Sequence, residues 1–284
     1  MRLNNQNPSL SPLGRVFFGV VALVLTIGLV LFFAPDLVAR RWPWPLTPFN
    51  TRFLGAFYSA EMMTIMVMLV VNRWAPGRLV FWMALVFTVI VSLVSLLYFG
   101  QFNPQRRATW TWFILYIGSA LISAFFLWWY RRWPVPGSAA PPSGLGRIYL
   151  QVEGVLLGVY GLGLLLAPAL FSAFWPWKID DFHGQIYSAI FLTGAVGIFI
   201  LSQAVAPVEL LTMGLTQITL GLLAIVGMII VDASVHKIGW SLPGTWVWLG
   251  LFALLFIAGL GKLWWSLKSR RQANANSSVS SYVG

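Results

Sequence analysis

Residues 16–33, VFFGVVALVLTIGLVLFF, carry no charged side chain, and residues 249–260 are equally apolar on all sides. A helix of about 20 apolar residues crosses a bilayer core of about 30 Å. Lipid offers no hydrogen-bond partners, so backbone amides in the bilayer must be satisfied within helices or closed barrels. Barrel strands alternate polar and apolar residues over about 10 positions, and these two runs do not. They predict membrane-spanning helices.

The composition of the whole chain agrees with this prediction. Hydrophobic residues make up 59% of the 284 residues and charged residues 9%, whereas a soluble domain has about 25% charged residues. The net charge is +11, but the basic residues lie in short segments between apolar runs. That arrangement is typical of topology signals, so we expect contact with the lipid bilayer and none with nucleic acid. The absence of cysteine excludes disulfides, thiolate metal sites and cysteine nucleophiles.

Eight apolar runs occur along the chain and predict an all-α integral membrane protein with eight transmembrane helices. The predicted spans cover residues 16–34, 54–71, 79–99, 110–130, 148–167, 185–204, 208–231 and 245–266. An even number of spans places both termini on the same side of the membrane.

The Lys and Arg residues indicate which side carries the termini. Cytoplasmic segments are enriched in Lys and Arg, and eleven of the 18 lie on the side of the termini. Both termini are therefore predicted to be cytoplasmic. The eleven are Arg2, Arg15, Arg73, Arg78, Arg131, Arg132, Arg147, Lys262, Lys268, Arg270 and Arg271, and the other seven are Arg40, Arg41, Arg52, Arg106, Arg107, Lys178 and Lys237.

An internal repeat divides the eight spans into two sets of four. Residues 13–16 (LGRV) recur as 145–148 (LGRI), and residues 42–44 (WPW) recur as 175–177. Each set has an even number of spans, so the two copies are predicted to share one orientation, related by an axis along the membrane normal. Further landmarks in the same order are Ala34-Pro35 with Ala167-Pro168, Ala75-Pro76 with Ala206-Pro207, Trp110 and Trp112 with Trp246 and Trp248, and residues 127–129 with 263–265.

The repeat predicts four segments along the chain. A first four-helix unit covers residues 1–133, a Pro/Gly-rich linker covers 134–146, and a second four-helix unit covers 147–271. The linker has no apolar periodicity. Residues 272–284, rich in Asn and Ser, predict a disordered tail.

The paired Trp-Pro-Trp loops are candidate functional segments near predicted span ends. Trp42 and Trp44 belong to the first loop, and Trp175 and Trp177 belong to the second. An indole has an apolar body and one N–H donor, which suits the headgroup region. We interpret these side chains as an interfacial anchoring belt, with stacking on a ligand as the alternative.

Parts of the first half resemble known proteins. Residues 31–58, which include FFAP, WPWPLTP and RFLGAFY, and residues 110–116, WTWFILY, resemble a group of uncharacterised bacterial multi-spanning membrane proteins with a W-P-W-x-L-T-P…F-L-G-A-x-Y signature. More distantly, each half is similar to four-helix membrane proteins of the DoxX-like type. The resemblance implies a multi-pass protein of the bacterial inner (plasma) membrane and no established reaction that carries over to residues of this chain.

Two acids within predicted spans are candidate site residues, because an ionisable group in the membrane costs several kcal/mol unless it is paired. We expect Glu61 in the outer part of the membrane, and Glu153 about 9 Å deep from the cytoplasmic side at about 1.5 Å per residue. This places them in opposite leaflets. Around Glu153 the sequence predicts a polar cavity in the second unit, formed with Gln217, Thr216 and Thr193, that binds a small or amphiphilic ligand or a proton. The alternative is that these groups only hydrogen-bond between helices.

Other polar residues give weaker signals. His183 and His236, with Asp180, Asp181 and Asp232, have the ligand types of a surface zinc site, but we interpret them as solvated loop residues and predict no metal site. The motifs of metalloproteases, serine hydrolases and phosphate-binding loops are missing, so no catalytic residue and no cofactor is assigned.

Three function classes remain open. The first is a non-catalytic scaffold or accessory subunit that packs with other membrane proteins or lipids, and it predicts tightly packed helices with no continuous cavity. The second is a transporter or a small-molecule or lipid binder, with a polar cavity that reaches Glu61 or Glu153. The third is an intramembrane enzyme, which needs two convergent reactive groups. Sparse intramembrane charge and the lack of a coupling-ion motif favour the first class, and the enzyme is placed last because the sequence shows no such pair of groups.

Overall fold

The computed structural model describes residues 7–132 and 139–280, and the side chains of this range up to residue 272. Within it, eight helices are long and apolar enough to cross a membrane, which confirms the predicted all-α membrane architecture. We number them α1 to α8. They are α1 Pro12–Phe33, α2 Pro48–Val71, α3 Trp74–Leu97, α4 Arg107–Tyr130, α5 Gly144–Leu166, α6 Asp181–Gln203, α7 Pro207–Val235 and α8 Pro243–Ser280.

The helices begin at residues with a clear physical preference for helix starts. Proline, which lacks the N–H that a first turn leaves unpaired, opens α2, α7 and α8. Thr47 caps α2 and Asp180 caps α6, each accepting a hydrogen bond from a backbone N–H in the first turn. Helix α1 is interrupted at Thr26, between Pro12–Leu25 and Ile27–Phe33.

The packing of the helices joins the two halves of the chain. Helices pack in sequential pairs, α1 with α2, α3 with α4, α5 with α6 and α7 with α8. Across the halves, α2 packs along α7 and α3 packs along α6, whereas α2 has few contacts with α3. The two predicted units therefore do not form separate bundles, because the inner helices of each pack against those of the other.

Two reciprocal hydrogen bonds tie the halves together. Trp44 Nε1 donates to Nε2 of His183, the third residue of α6, over 3.2 Å. Trp177 Nε1 donates to Oδ1 of Asn50, the third residue of α2, over 2.9 Å. Each Trp-Pro-Trp loop thus contacts the start of the equivalent helix in the other half. This is the pattern expected of the predicted repeat, which itself stays a prediction.

The Trp-Pro-Trp side chains lie inside the protein, and the expectation of a headgroup belt at these positions is wrong. Trp42, Trp44, Trp175 and Trp177 are at most 9% exposed. Edge-to-face contacts join the two indoles of each loop. The physical reason is that these loops lie where the two halves of the protein meet. Their indoles therefore pack into an aromatic core instead of facing the headgroup region. Exposed indoles at span ends are Trp110, Trp128, Trp129, Trp246 and Trp264.

A buried ion pair crosses the halves on the side of the termini. The Arg78 guanidinium donates to both carboxylate oxygens of Glu209, over 2.8 and 2.9 Å, and to the carbonyl of Ala204. Glu209 also accepts from the backbone N–H of Ala206 at the start of α7. Both charges are satisfied by several hydrogen bonds, which is what a buried pair requires.

The linker and the tail are described in part. Residues 133–138 lie outside the described residues. Ala140 pairs with Val205 through two backbone hydrogen bonds, so the end of the linker rests against the connection between α6 and α7. Helix α8 continues to Ser280, into the segment predicted to be a disordered tail.

Glycines allow α7 and α8 to cross closely near the middle of the membrane. A Cβ atom on Gly214 would lie 2.8 Å from the carbonyl oxygen of Gly259, and one on Gly259 would lie 2.7 Å from the carbonyl oxygen of Gly214. Small residues at such crossings let helix backbones approach in lipid. This approach brings the polar residues of α7 and α8 into contact.

Candidate functional site

Four polar residues of four helices lie at one depth in the membrane. Glu153 is nine residues from the start of α5, Gln217 ten from the start of α7, and Glu61 ten from the end of α2. Lys262 of α8 lies at the same level, because its Nζ donates hydrogen bonds to both Glu153 and Gln217. These three helix ends are on the side of the termini, so Glu153, Gln217 and Glu61 each lie about 14–15 Å from that side at about 1.5 Å per residue. The prediction of opposite leaflets for Glu61 and Glu153 is therefore wrong.

A fully connected polar cluster surrounds Glu153. Lys262 Nζ donates to Glu153 Oε2 over 2.6 Å, to Gln217 Oε1 over 3.0 Å and to the Tyr149 hydroxyl over 3.1 Å. The amide nitrogen of Gln217 donates to Glu153 Oε1 over 2.6 Å. The predicted contact between Glu153 and Gln217 is thus present in the structure. Both charges have their partners, which is how an ion pair is tolerated within a membrane.

Lys262 is the member of this cluster that sequence reasoning missed. It lies near the end of the predicted span 245–266, where a lysine is typical of a topology signal, whereas its helix runs on to Ser280 and its side chain has no solvent exposure. One signal was available. Lys262 precedes Trp264 and Trp265, so it lies on the membrane side of the indoles that mark the span end.

The two predicted threonines are not part of the Glu153 cluster. Thr216 Oγ1 lies 2.6 Å from Thr64 Oγ1 of α2, so it bonds to the first half. Thr193 is buried, and its hydroxyl has no hydrogen-bond partner among the described residues. Both line a central cavity of about 30 Å³, together with Gln217 and Glu61. That volume has room for one or two water molecules, since a water needs about 10–15 Å³.

A larger cavity lies in the first half and is lined by α1, α2, α3 and α4. Its volume is about 410 Å³, within the range of roughly 300–1,000 Å³ that small-molecule sites have. It follows one face of α4 from Ala108 to Ser123, which is about 22 Å at about 1.5 Å per residue. We call it the lateral cavity, because two of its lining residues, Val24 of α1 and Thr111 of α4, are exposed on the outer surface of the bundle. It therefore opens toward lipid between α1 and α4.

Among the residues that the structure describes, Glu61 is the only acidic one that lines the lateral cavity. In the part of the chain that the structure describes, no side chain donates a hydrogen bond to its carboxyl group and no cation pairs with it. Glu61 also lines the central cavity, so it separates the two. The sequence predicted a cavity around Glu153, whereas the available space lies beside Glu61.

Several aromatic side chains line the lateral cavity. Tyr58, Phe87, Trp112 and Tyr116 line it, and the hydroxyls of Tyr58 and Tyr116 are 2.7 Å apart in a shared hydrogen bond. Trp42 of the first Trp-Pro-Trp loop also lines the cavity, and its Nε1 has no hydrogen-bond partner among the described residues. The alternative interpretation of this loop, stacking on a ligand, therefore has a place in the structure.

The two histidines have different environments. His183 is buried and not solvated as expected, because Trp44 donates to its Nε2 while its Nδ1 lies 2.7 Å from Asp180 Oδ1. This network assigns the proton of a neutral His183 to Nδ1. His236 is exposed at the end of α7. Within the described ranges, 7–132 and 139–280, no three acidic or histidine side chains are grouped to hold a metal ion.

Asp180 makes a pH-dependent contact at the start of α6, on the side of the protein opposite the termini. Partial burial alone raises the pKa of its carboxyl group, but hydrogen bonds from the ring and the backbone N–H of His183 outweigh this and hold the pKa below its ordinary value. A carboxyl group with a lower pKa in the folded state stabilises the fold above its unfolded-state pKa. This contribution is lost as the pH falls through the folded-state pKa.

We expect Asp180→Asn to lower the melting temperature at neutral pH and to leave it nearly unchanged in acid. Asparagine still caps α6, so the difference isolates the charge. Thermal unfolding of both proteins from neutral to acidic pH measures it. The two curves should converge as the pH falls, and a constant difference at every pH would contradict the assignment.

The chain has no match among protein-family models, curated proteins or solved structures. The resemblance to DoxX-like proteins therefore stays an expectation, and the function has to be argued from the geometry.

Proposed function

We propose that this integral membrane protein binds an elongated amphiphilic molecule in the lateral cavity, with its polar group beside Glu61. The observation that carries the proposal is an apolar cavity of about 410 Å³ that holds one carboxyl group without a protein partner among the described residues. Ligand sites in proteins are mostly apolar, with a few polar groups that fix orientation. We further propose that the protein lies in a bacterial inner membrane with both termini in the cytoplasm.

The shape of the cavity supports a lipid-like ligand. Its length of about 22 Å along α4 suits an extended chain better than a compact molecule, and Val24 and Thr111 form an entrance that opens toward the bilayer. Buried polar groups without partners among the described residues, Ser123 Oγ and Trp42 Nε1, belong to its lining. They offer hydrogen bonds along an otherwise apolar wall.

The scaffold and the enzyme receive less support. A scaffold predicts packed helices throughout, and the lateral cavity departs from that pattern. The second half does fit a packed arrangement, because the ion pair of Glu153 and Lys262 occupies the space between α5 and α8. An enzyme needs two convergent reactive groups, and among the described residues Glu61 is the one acidic group in the lining of the cavity.

Filling the cavity tests the proposal. Ser119→Trp places a large side chain in the lateral cavity. Leu121→Trp is the control two residues further along α4, because the Leu121 side chain is 67% exposed and its replacement changes only the lipid-facing surface. We expect dodecanol to raise the melting temperature of the wild-type protein and of Leu121→Trp in nanodiscs. A ligand at about 100 times its Kd stabilises by about 2.7 kcal/mol, which corresponds to several degrees.

Ser119→Trp should show no such shift. Its fold is checked independently by its melting temperature without dodecanol. If all three proteins respond to dodecanol alike, the alcohol acts through the bilayer and the cavity is not a binding site.

A further inference from the structure

We infer that the polar group of the ligand is a cation, and that Glu61 exchanges a proton for it. The inference rests on the proposed function of the lateral cavity and adds the chemical class of the ligand and a coupled proton. It is carried by the position of Glu61 between two cavities, by its aromatic surroundings and by the charges of the neighbouring elements.

The carboxyl group of Glu61 has to be neutralised by something other than the described protein. An isolated carboxylate in a low-dielectric site is very costly. Its helix is packed against α1 and α7, and α1 contributes only uncharged residues to the cavity wall, as does α3. The charge is therefore cancelled either by a proton on Glu61 or by a cation that enters the cavity.

The nearest charged groups do not supply that cation. Arg41 lines the lateral cavity and is exposed, and among the described residues no ion pair joins it to Glu61. Lys262 of α8 is separated from Glu61 by Gln217 and is already paired with Glu153 of α5 over 2.6 Å. The titratable Tyr58 and Tyr116 face Glu61 as neutral side chains bonded to each other.

The walls beside Glu61 suit an organic cation. Tyr58 lies one helical turn before Glu61 on α2, and Phe87 and Tyr116 line the same cavity, with their ring centroids 5.8 Å apart. The faces of such rings attract cations within about 6 Å, and desolvated sites give the larger effects. A carboxylate together with aromatic walls is a favourable setting for an alkylammonium group, while the apolar length of the cavity accommodates its tail.

The exchange balances in atoms and charge. Glu61 begins as a neutral carboxylic acid, the O–H bond breaks, its proton passes to water, and the resulting carboxylate pairs with the entering cation. One positive charge enters and one leaves, and no bond of the ligand changes. The central cavity, lined by Glu61 and Gln217 and roomy enough for one or two water molecules, provides a neighbouring position for the water that takes the proton.

Calorimetry with a matched pair of probes tests the exchange. Dodecyltrimethylammonium and dodecanol are titrated into the full-length protein in nanodiscs, in two buffers with different ionisation enthalpies at the same pH. The difference in heat gives the protons released per molecule bound. We expect about one proton for the ammonium probe in the range where Glu61 is protonated, none for dodecanol, and an ammonium affinity that rises about tenfold per pH unit in that range.

Glu61→Gln supplies the control, since its side chain is similar in size and carries no proton to release. We expect it to keep dodecanol binding, to release no proton and to lose at least about tenfold in ammonium affinity. Equal affinities for the two probes in the wild type, or ammonium binding that is independent of pH with no proton released, would overturn the exchange and leave the cavity as a neutral binding site. Failure of both probes to distinguish wild type from Ser119→Trp would overturn the proposed function itself.

Discussion

Lys262→Met is expected to destabilise the protein by about 3–5 kcal/mol, the usual cost of removing one partner of a buried ion pair. The variant leaves the Glu153 carboxylate in the membrane with one hydrogen bond from Gln217 instead of an ammonium group at 2.6 Å. Reversible unfolding in mixed micelles measures the change. Lys268→Met is the matched control, because Lys268 is on the same helix but exposed, and we expect an effect within about 0.5 kcal/mol.

The double variant Glu153→Leu with Lys262→Met decides whether the loss comes from the pair. Replacing a buried pair by apolar residues of similar volume is often neutral or stabilising, so the double variant should be more stable than Lys262→Met alone. A double variant at least as unstable as the sum of the two single variants would show that the two side chains do not form a pair.

Gly259→Ala is the second large effect, with an expected loss of about 1–3 kcal/mol, the range for overpacking a filled interface. The added methyl group would lie 2.7 Å from the carbonyl oxygen of Gly214 and 2.8 Å from the backbone nitrogen of Ile218, and neither backbone atom can move alone. Helices α7 and α8 would have to separate, which also pulls Lys262 away from Gln217. Unfolding free energies measure the loss.

The same helix contains the control for this substitution. A Cβ atom added to Gly261 would meet open space, with no heavy atom within 4 Å. Gly261→Ala should therefore be neutral or stabilising by up to about 1 kcal/mol, because alanine favours helix more than glycine does. Equal losses at the two positions would mean that the crossing of α7 and α8 is not close.

The number of spans was predictable from sequence because lipid imposes a simple length rule. Runs of about 20 apolar residues are visible without any knowledge of packing, and the predicted span 185–204 corresponds to Asp181–Gln203. How the spans pack was not predictable. The pairing of α2 with α7 depends on contacts between residues far apart in sequence, such as Thr64 with Thr216, and hydropathy carries no information about them.

The candidate site was predictable in part. The sequence identifies Glu153 and Gln217 together, because polar groups are rare in membrane spans and form hydrogen bonds with one another. The predicted depth of Glu61 is wrong because α2 and α5 begin several residues before the predicted starts at 54 and 148, at Pro48 and Gly144. The lateral cavity could not be predicted from the sequence, since an empty volume depends on how the side chains of four helices fit together.

The packing of the inner helices of one half against those of the other has a consequence for biogenesis. During synthesis the first four helices enter the bilayer before the rest of the chain exists, and at that stage Arg78 has no carboxylate beside it and Trp44 has no imidazole. These groups face lipid or the insertion machinery until α6 and α7 arrive. Arg78 and Trp44 therefore gain these partners only when the second half of the chain has been inserted.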